Sequence, residues 1–215
     1  MTTVLERIEP IGEALARLRA APLEVTGNEI IPIYRHATLR TGDFFPDELN
    51  PTALYVLARQ IEYLQNMRRE LLARYQIDIL RLSSILHLRD ERDGRLYGMA
   101  PPFVEIYEER VQIQPLPGDR EPSPLSLKIP ILKDGIHRAW IAREERVMLG
   151  CIVAHGALPD HLPYAYPNEW SQVRVVDGRP EQKKIYRRQV PYSYLRPLKA
   201  LRQTGDEAVP SEWGR

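Results

Sequence analysis

The chain has 215 residues, 30 Lys or Arg against 29 Asp or Glu, a formal charge of +1 and 43% hydrophobic residues. That length suits one medium domain with appendages, or two small ones, and is enough to bury a sizeable core. The near-neutral balance gives no global pull toward nucleic acid or an anionic membrane, no apolar run is long enough to span a bilayer, and a single cysteine, Cys151, excludes an internal disulfide.

The N-terminus from Met1 to Arg7 lacks a signal-peptide pattern, so a cytoplasmic location is expected. Residues 2–20 place Val4, Leu5, Ile8, Ile11, Leu15 and Leu18 at helical spacing, with Pro10 as a kink or restart. The amphipathic helix they predict packs on its own domain or on a protein partner. Glu29 to Arg35 reads as a short strand, which Pro32 assigns to an edge. Residues 36–49, with Thr41-Gly42 and Pro46-Asp47, read as loop, and His36 as a surface residue. Asn50 and Pro51 form an N-cap and first helical residue, and Leu54, Leu57, Ile61, Leu64, Met67 and Leu71 carry a helix to about residue 75. Glu62 and Glu70 alternate with its arginines, as on a solvated face.

Runs at 84–89 and 95–99 flank Asp93-Gly94 and predict a hairpin, with His87 a packed or surface residue. Phe103–Glu108 and Arg110–Gln114 read as a pair of short strands, and 116–124 as a polar surface loop. Glu105 has two readings: a carboxylate that serves a phosphate site as magnesium ligand or base, or an ordinary outward charge.

An apolar run from Ile129 to Leu132 then meets Asp134-Gly135, Ile136, His137 and Arg138, an alanine-rich helical segment to Glu145, and a second apolar run from Val147 to Ala154. This is strand, tight turn, helix, strand. Gly135 tolerates the positive φ of a sharp turn, and the open N–H groups and positive dipole end of a starting helix suit an anion, to which Arg138 adds a planar fork. The plain alternative is a turn whose His-Arg pair caps the helix and stays solvated. Glu144 and Glu145 are weaker metal candidates, and Cys151, inside the apolar run, is expected to be buried and unreactive.

Residues 157–170 hold three prolines, two tyrosines, Trp170 and His161. They line a base or substrate pocket, cover the sheet, or meet a protein partner. Residues 173–176 and 184–187 read as a last hairpin about Asp177-Gly178. From Arg174 to Arg202 nine Lys or Arg stand against two acids, with Tyr186, Tyr192 and Tyr194 among them. That pattern permits nucleic-acid contact, but a solvated basic face or an acidic protein partner fits the neutral chain better.

The Asp134-Gly135-Ile136-His137-Arg138 stretch resembles the Gly-x-His-Arg signature of the ParB/sulfiredoxin-like superfamily, and Pro101-Pro102-Phe103-Val104-Glu105 resembles the Pro-hydrophobic-Val segment that precedes it. The resemblance spans roughly residues 80–157. It departs from sulfiredoxins, which carry a reactive cysteine where Ile136 stands. It departs also from chromosome-partitioning ParB proteins, which have Glu-Arg-Arg after the glycine and a helix-turn-helix downstream. The resemblance implies an α+β fold with a mixed sheet for a ParB/sulfiredoxin-like domain (77–203), while helical spacing gives an N-terminal helical region (1–76) and a flexible tail (204–215) is expected after Thr204-Gly205. It further implies a nucleoside triphosphate with Mg2+ at the turn: Gly135, Ile136, His137 and Arg138 hold phosphate, His137 orients it or its metal, and Glu105 or Asp134 supplies the catalytic carboxylate, Glu105 also as metal ligand. The expected function is a nucleotide-binding phosphotransfer or nucleotide-hydrolysing enzyme. A non-catalytic subunit or nucleotide-sensing module is the alternative, and nucleic-acid binding the third.

Overall fold

Apolar residues at 103–104, 131–132 and 149–154 leave neighbouring strands with two hydrophobic faces, so the central sheet has to be covered on both. The protein, a computed structural model, is described over residues 3–21, 23–26, 29–113, 123–157 and 165–186. In chain order its elements are β1 (Thr3–Pro10), α1 (Ile11–Ala20), β2 (Leu23–Thr26), β3 (Glu29–Ile31), β4 (Thr38–Phe44) and a 3-10 turn at Pro46–Glu48. β5 (Asn50–Pro51), β6 (Tyr55–Leu57), α2 (Ala58–Tyr75), β7 (Ser84–Asp90), β8 (Leu96–Met99), β9 (Phe103–Ile113) and β10 (Ser123–Asp134) follow. α3 (Ile136–Glu144), β11 (Leu149–His155), a 3-10 turn at Trp170–Gln172 and β12 (Arg174–Val176) complete it.

The central sheet has the order β4-β11-β9-β10-β5; β11 runs parallel to β9 and β10 parallel to β5, and the other pairs are antiparallel. Val104, Leu132, Cys151 and Val153 face a core built with Met67 and Leu71 of α2 and Ala139, Ile141 and Ala142 of α3. Phe103, Ile152, Ala154 and Leu39 face a second core with Ile33, Tyr34, Ala14 and Leu18. The fold is therefore α+β with a mixed sheet, as expected. A three-stranded antiparallel sheet, β1-β7-β8, lies apart from it in hydrogen bonding, and its Leu86, Leu88 and Met99 join the first core. No helix among the described residues is long and apolar enough to cross a membrane.

Local rules failed where a distant strand competed. Residues 3–10 are a strand rather than the start of a helix, because β7 supplies a ladder from Thr3↔Asp90 to Pro10↔Ser84; Pro10 ends the strand and α1 starts at Ile11. Residues 38–44 are not loop but β4, paired with β11. Asn50-Pro51 does not cap a helix: both residues pair with Ile131 and Leu132 of β10, and α2 starts only at Ala58. β9 is one continuous strand rather than two short ones. β12 pairs in parallel with β6, so the expected hairpin at 173–187 does not form. The ladders of β1, β4 and β5 join residues on both sides of position 76.

The hairpin about Asp93-Gly94 is present as β7 and β8. His87 Nε2 donates to the buried Glu9 (2.8 Å), which Arg17 also meets at 2.5 Å. Burial raises the Glu9 carboxyl, but hydrogen bonds from His87 and Arg17 outweigh it and hold it below the usual carboxylate range. From the middle of α2, Arg68 is bidentate to Asp78 (2.7 and 2.8 Å) and also bonds Glu145, so Glu145 is a packing partner at the end of α3.

Candidate functional site

The expected strand-turn-helix is present: β10 ends at Asp134, Gly135 takes φ +93°, and α3 begins at Ile136. Two constraints make position 135 a glycine. Its backbone is left-handed, and a Cβ there would come within 2.6 Å of Pro102 Cβ. Pro102, in the upstream segment singled out with the motif, is thus the floor on which the turn sits. Asp134 Oδ1 accepts the Gly135 N–H at 2.8 Å, and the first helical bond runs from Ala139 N–H to Gly135 O at 3.0 Å. Helix geometry leaves the N–H groups of Ile136, His137 and Arg138 in the first turn, at the positive end of the dipole.

A β-bulge stands just before this turn. Leu132 pairs with Val104 and Asp134 with Phe103, so Lys133 is the extra residue. Lys133 is buried, and its Nζ donates to Glu105 Oε2 (2.8 Å) and to Tyr34 Oη (3.3 Å), while Tyr34 donates to the same Glu105 oxygen at 2.6 Å. Glu105, 2% exposed, is therefore neither an outward charge nor a carboxylate open to solvent. On the β5 side of the bulge, Thr52 N–H and Oγ1 both donate to Leu132 O at 3.2 Å. Lys184 Nζ donates in turn to Thr52 Oγ1 at 3.0 Å.

His137 is turned to a structural partner. Its Nε2 accepts the N–H of Leu57, the residue that caps α2, at 3.0 Å. Burial lowers its pKa to about 4, against the opposing pull of Asp134. At neutral pH the imidazole is uncharged, and because Nε2 offers its lone pair to Leu57, the proton sits on Nδ1. His137 can donate one hydrogen bond there but contributes no positive charge. Arg138 is 4% exposed, on the core side of α3. Its charge draws down the Cys151 thiol, which burial nonetheless pushes up to about 12. Cys151 is fully buried, as expected, with Sγ 3.5 Å from Leu149 O.

The turn thus gathers Asp134, Gly135, Ile136, His137 and Arg138, while Glu105 bonds within a separate buried group. Among the described residues no group of three or more His, Cys, Asp or Glu is placed to hold a metal ion by itself. Magnesium usually takes one or two carboxylates and completes its shell with phosphate and water, and Asp134 fits that role.

The sequence reading missed Lys133, Tyr34, Thr52 and Lys184. Lys133 was the detectable one, a lone cation ending an apolar strand. Lys184 stood in a basic stretch read as a solvated face, yet it is 7% exposed. Trp170 packs against Trp140 (centroids 6.1 Å) beneath Arg143, and its Nε1 donates to Pro46 O at 2.7 Å; this end of the aromatic loop covers the core. His161, the loop at 116–122, the basic residues from Arg187 onward and the tail at 204–215 lie outside the described residues. No curated protein and no solved structure matches the chain. A family model does, over residues 13–175, well beyond half the length and across the whole strand-turn-helix: the chain belongs to the ParB CE domain family.

Proposed function

We propose that the chain binds a nucleoside triphosphate with Mg2+ at the Asp134–Arg138 turn and acts as a nucleotide-sensing module. The observation that carries this reading is the left-handed Gly135 at the head of α3. It turns the chain sharply from β10 into α3, so that first-turn amides without helical partners follow directly on the Asp134 carboxylate, with the Arg138 guanidinium in the same turn. Asp134 and a phosphate repel one another unless a cation lies between them, which is the argument for magnesium. When bound, the metal neutralises phosphate charge. The chain's own residues then do the holding: the amides of Ile136 and His137 and the Nδ1–H of His137 donate to phosphate oxygens, and Arg138 adds positive potential from below.

The sensing form is preferred to an enzymatic one because Glu105, the carboxylate expected to act as base or ligand, shares its Oε2 with Lys133 and Tyr34. Phosphotransfer or hydrolysis is the second reading, and it rests on Asp134 alone. The test is titration of ATP, CTP and GTP, with and without magnesium, into wild type and Asp134→Asn. Asparagine keeps the oxygen that accepts the Gly135 N–H and removes the charge. Binding that requires magnesium in wild type and loses that requirement in the variant is expected. Arg138→Ala is the less informative variant, because it empties a buried position. Absence of binding by any of the three nucleotides overturns the reading, and turnover abolished by Asp134→Asn favours the enzyme.

A further inference from the structure

The family match ends at residue 175, yet the chain continues past it into a contact with Thr52, whose hydroxyl bonds the signature strand. We propose that Lys184 is a positioning residue for the Asp134-Gly135 turn, acting through Thr52. The inference rests on the reading of that turn as the phosphate site.

A bulge breaks the ladder where the turn must be aimed, and the carbonyl of Leu132, three residues before Gly135, takes its partners from Thr52, the residue after β5. Thr52 gives it two donors. A hydroxyl that donates to a carbonyl still has lone pairs, and Lys184 fills one of them with an ammonium in a site sealed from water. A charge-assisted donor polarises the hydroxyl and strengthens the bond that the hydroxyl makes onward.

The same short segment also reaches the signature helix. Leu57 donates to His137, so residues 50–57 grip the motif twice, at the end of its strand and in the first turn of its helix. That segment is held from outside at several points. Leu54 N–H donates to Lys183 O (3.1 Å) and Leu54 O accepts from Arg174 N–H (3.0 Å). Asn168 Nδ2 donates to Pro51 O (3.1 Å) and Thr52 O (3.3 Å), and β12 pairs with β6. Of these holding groups only Lys184 places a charge against the link to Leu132.

The experiment compares Lys184→Met and Thr52→Val with the conservative Lys184→Arg and Thr52→Ser. Amide hydrogen exchange at Gly135 and Ala139, the hydrogen-bonded amides of the turn, measured without nucleotide, is the first readout. The tightest binder among MgATP, MgCTP and MgGTP supplies the second. Lys184→Met and Thr52→Val should each speed exchange at the turn about tenfold and weaken nucleotide binding by a similar factor, with exchange in α2 unchanged. The conservative pair should restore both values. Wild-type exchange at the turn in Lys184→Met and Thr52→Val overturns the proposal. So does faster exchange with unchanged affinity, which would make the contact a brace for the fold only. If the wild type binds no nucleotide, the phosphate reading has failed and with it the positioning of a phosphate site, whereas a wild type that binds as tightly as Lys184→Met defeats this inference alone.

Discussion

Two of the buried carboxylates, Glu9 and Glu105, have settings that differ. Glu9 lies between β1, α1 and β7 and meets Arg17, His87 and Arg7, whose guanidinium groups reach solvent. Glu105 lies in the central sheet and meets Lys133 and Tyr34, both as buried as itself. The first group can trade one cation for another or for water. The second lies away from water, where burying both charges costs several kcal/mol that close mutual geometry offsets. A pair of that kind contributes less to net stability than to fixing one arrangement, here the bulge that aims the signature turn.

The largest expected effect breaks the sealed pair. Lys133→Met removes the buried ammonium bonded to Glu105 and should cost about 3–5 kcal/mol in urea unfolding. Lys133→Met combined with Glu105→Leu should recover much of it. A single variant within 1 kcal/mol of wild type would mean that the sheet relaxes around Glu105 or admits water to it.

The solvent-linked group should respond less. Glu9→Gln removes charge-assisted bonds but keeps an oxygen for Arg17, and a loss of about 1.5–3 kcal/mol is expected, reduced by added salt. The carboxyl sits below its usual range in the fold, so its contribution is present above the ordinary carboxylate pKa and disappears as pH falls through the lowered value. A loss from Glu9→Gln as large as that from Lys133→Met would erase the distinction between the two settings.

A further measurement sharpens the comparison by adding a buried group that must stay neutral. His137 drops from 6.5 to about 4 in the fold, so the unfolded chain binds more protons between those values and stability declines as pH falls through that window. Between pH 7 and pH 5 the decline should be about 2 kcal/mol, and His137→Gln, which retains an acceptor for Leu57 N–H but does not titrate, should remove it. An unaltered slope in that variant would place the proton uptake elsewhere.

What could be read from the chain was whatever its neighbours in sequence decide. The Asp134-Gly135 turn, α3, the buried β11 and the Asp93-Gly94 hairpin all follow from glycine geometry and apolar runs that act over a few residues. Asn50-Pro51 carries strong capping chemistry and still joined β10, because a parallel ladder with a strand about 80 residues away satisfied the same groups. Glu109, set between Glu108 and Arg110, read as a break between two short strands. Yet β9 runs beyond its pairing with β11, which covers only residues 103–106, and the charges at 108 and 109 are exposed there at no cost. For the site, the motif announced the turn but not its supports, since the roles of Lys133 and Lys184 depend on Tyr34, Glu105 and Thr52 arriving from other parts of the chain.

The strand register also sets when the molecule can assemble. β7 with β8 and β9 with β10 are local pairs. Thr3 meets Asp90, Phe44 meets Leu149 and Tyr55 meets Arg174, so these three ladders close loops of about 90 to 120 residues. During synthesis β4 and β6 emerge long before their partners and present open edges until β11 and β12 leave the ribosome. Folding should therefore be slow for the chain's size, and an arrest in translation between residues 60 and 150 should yield a species that needs a chaperone to stay out of aggregates.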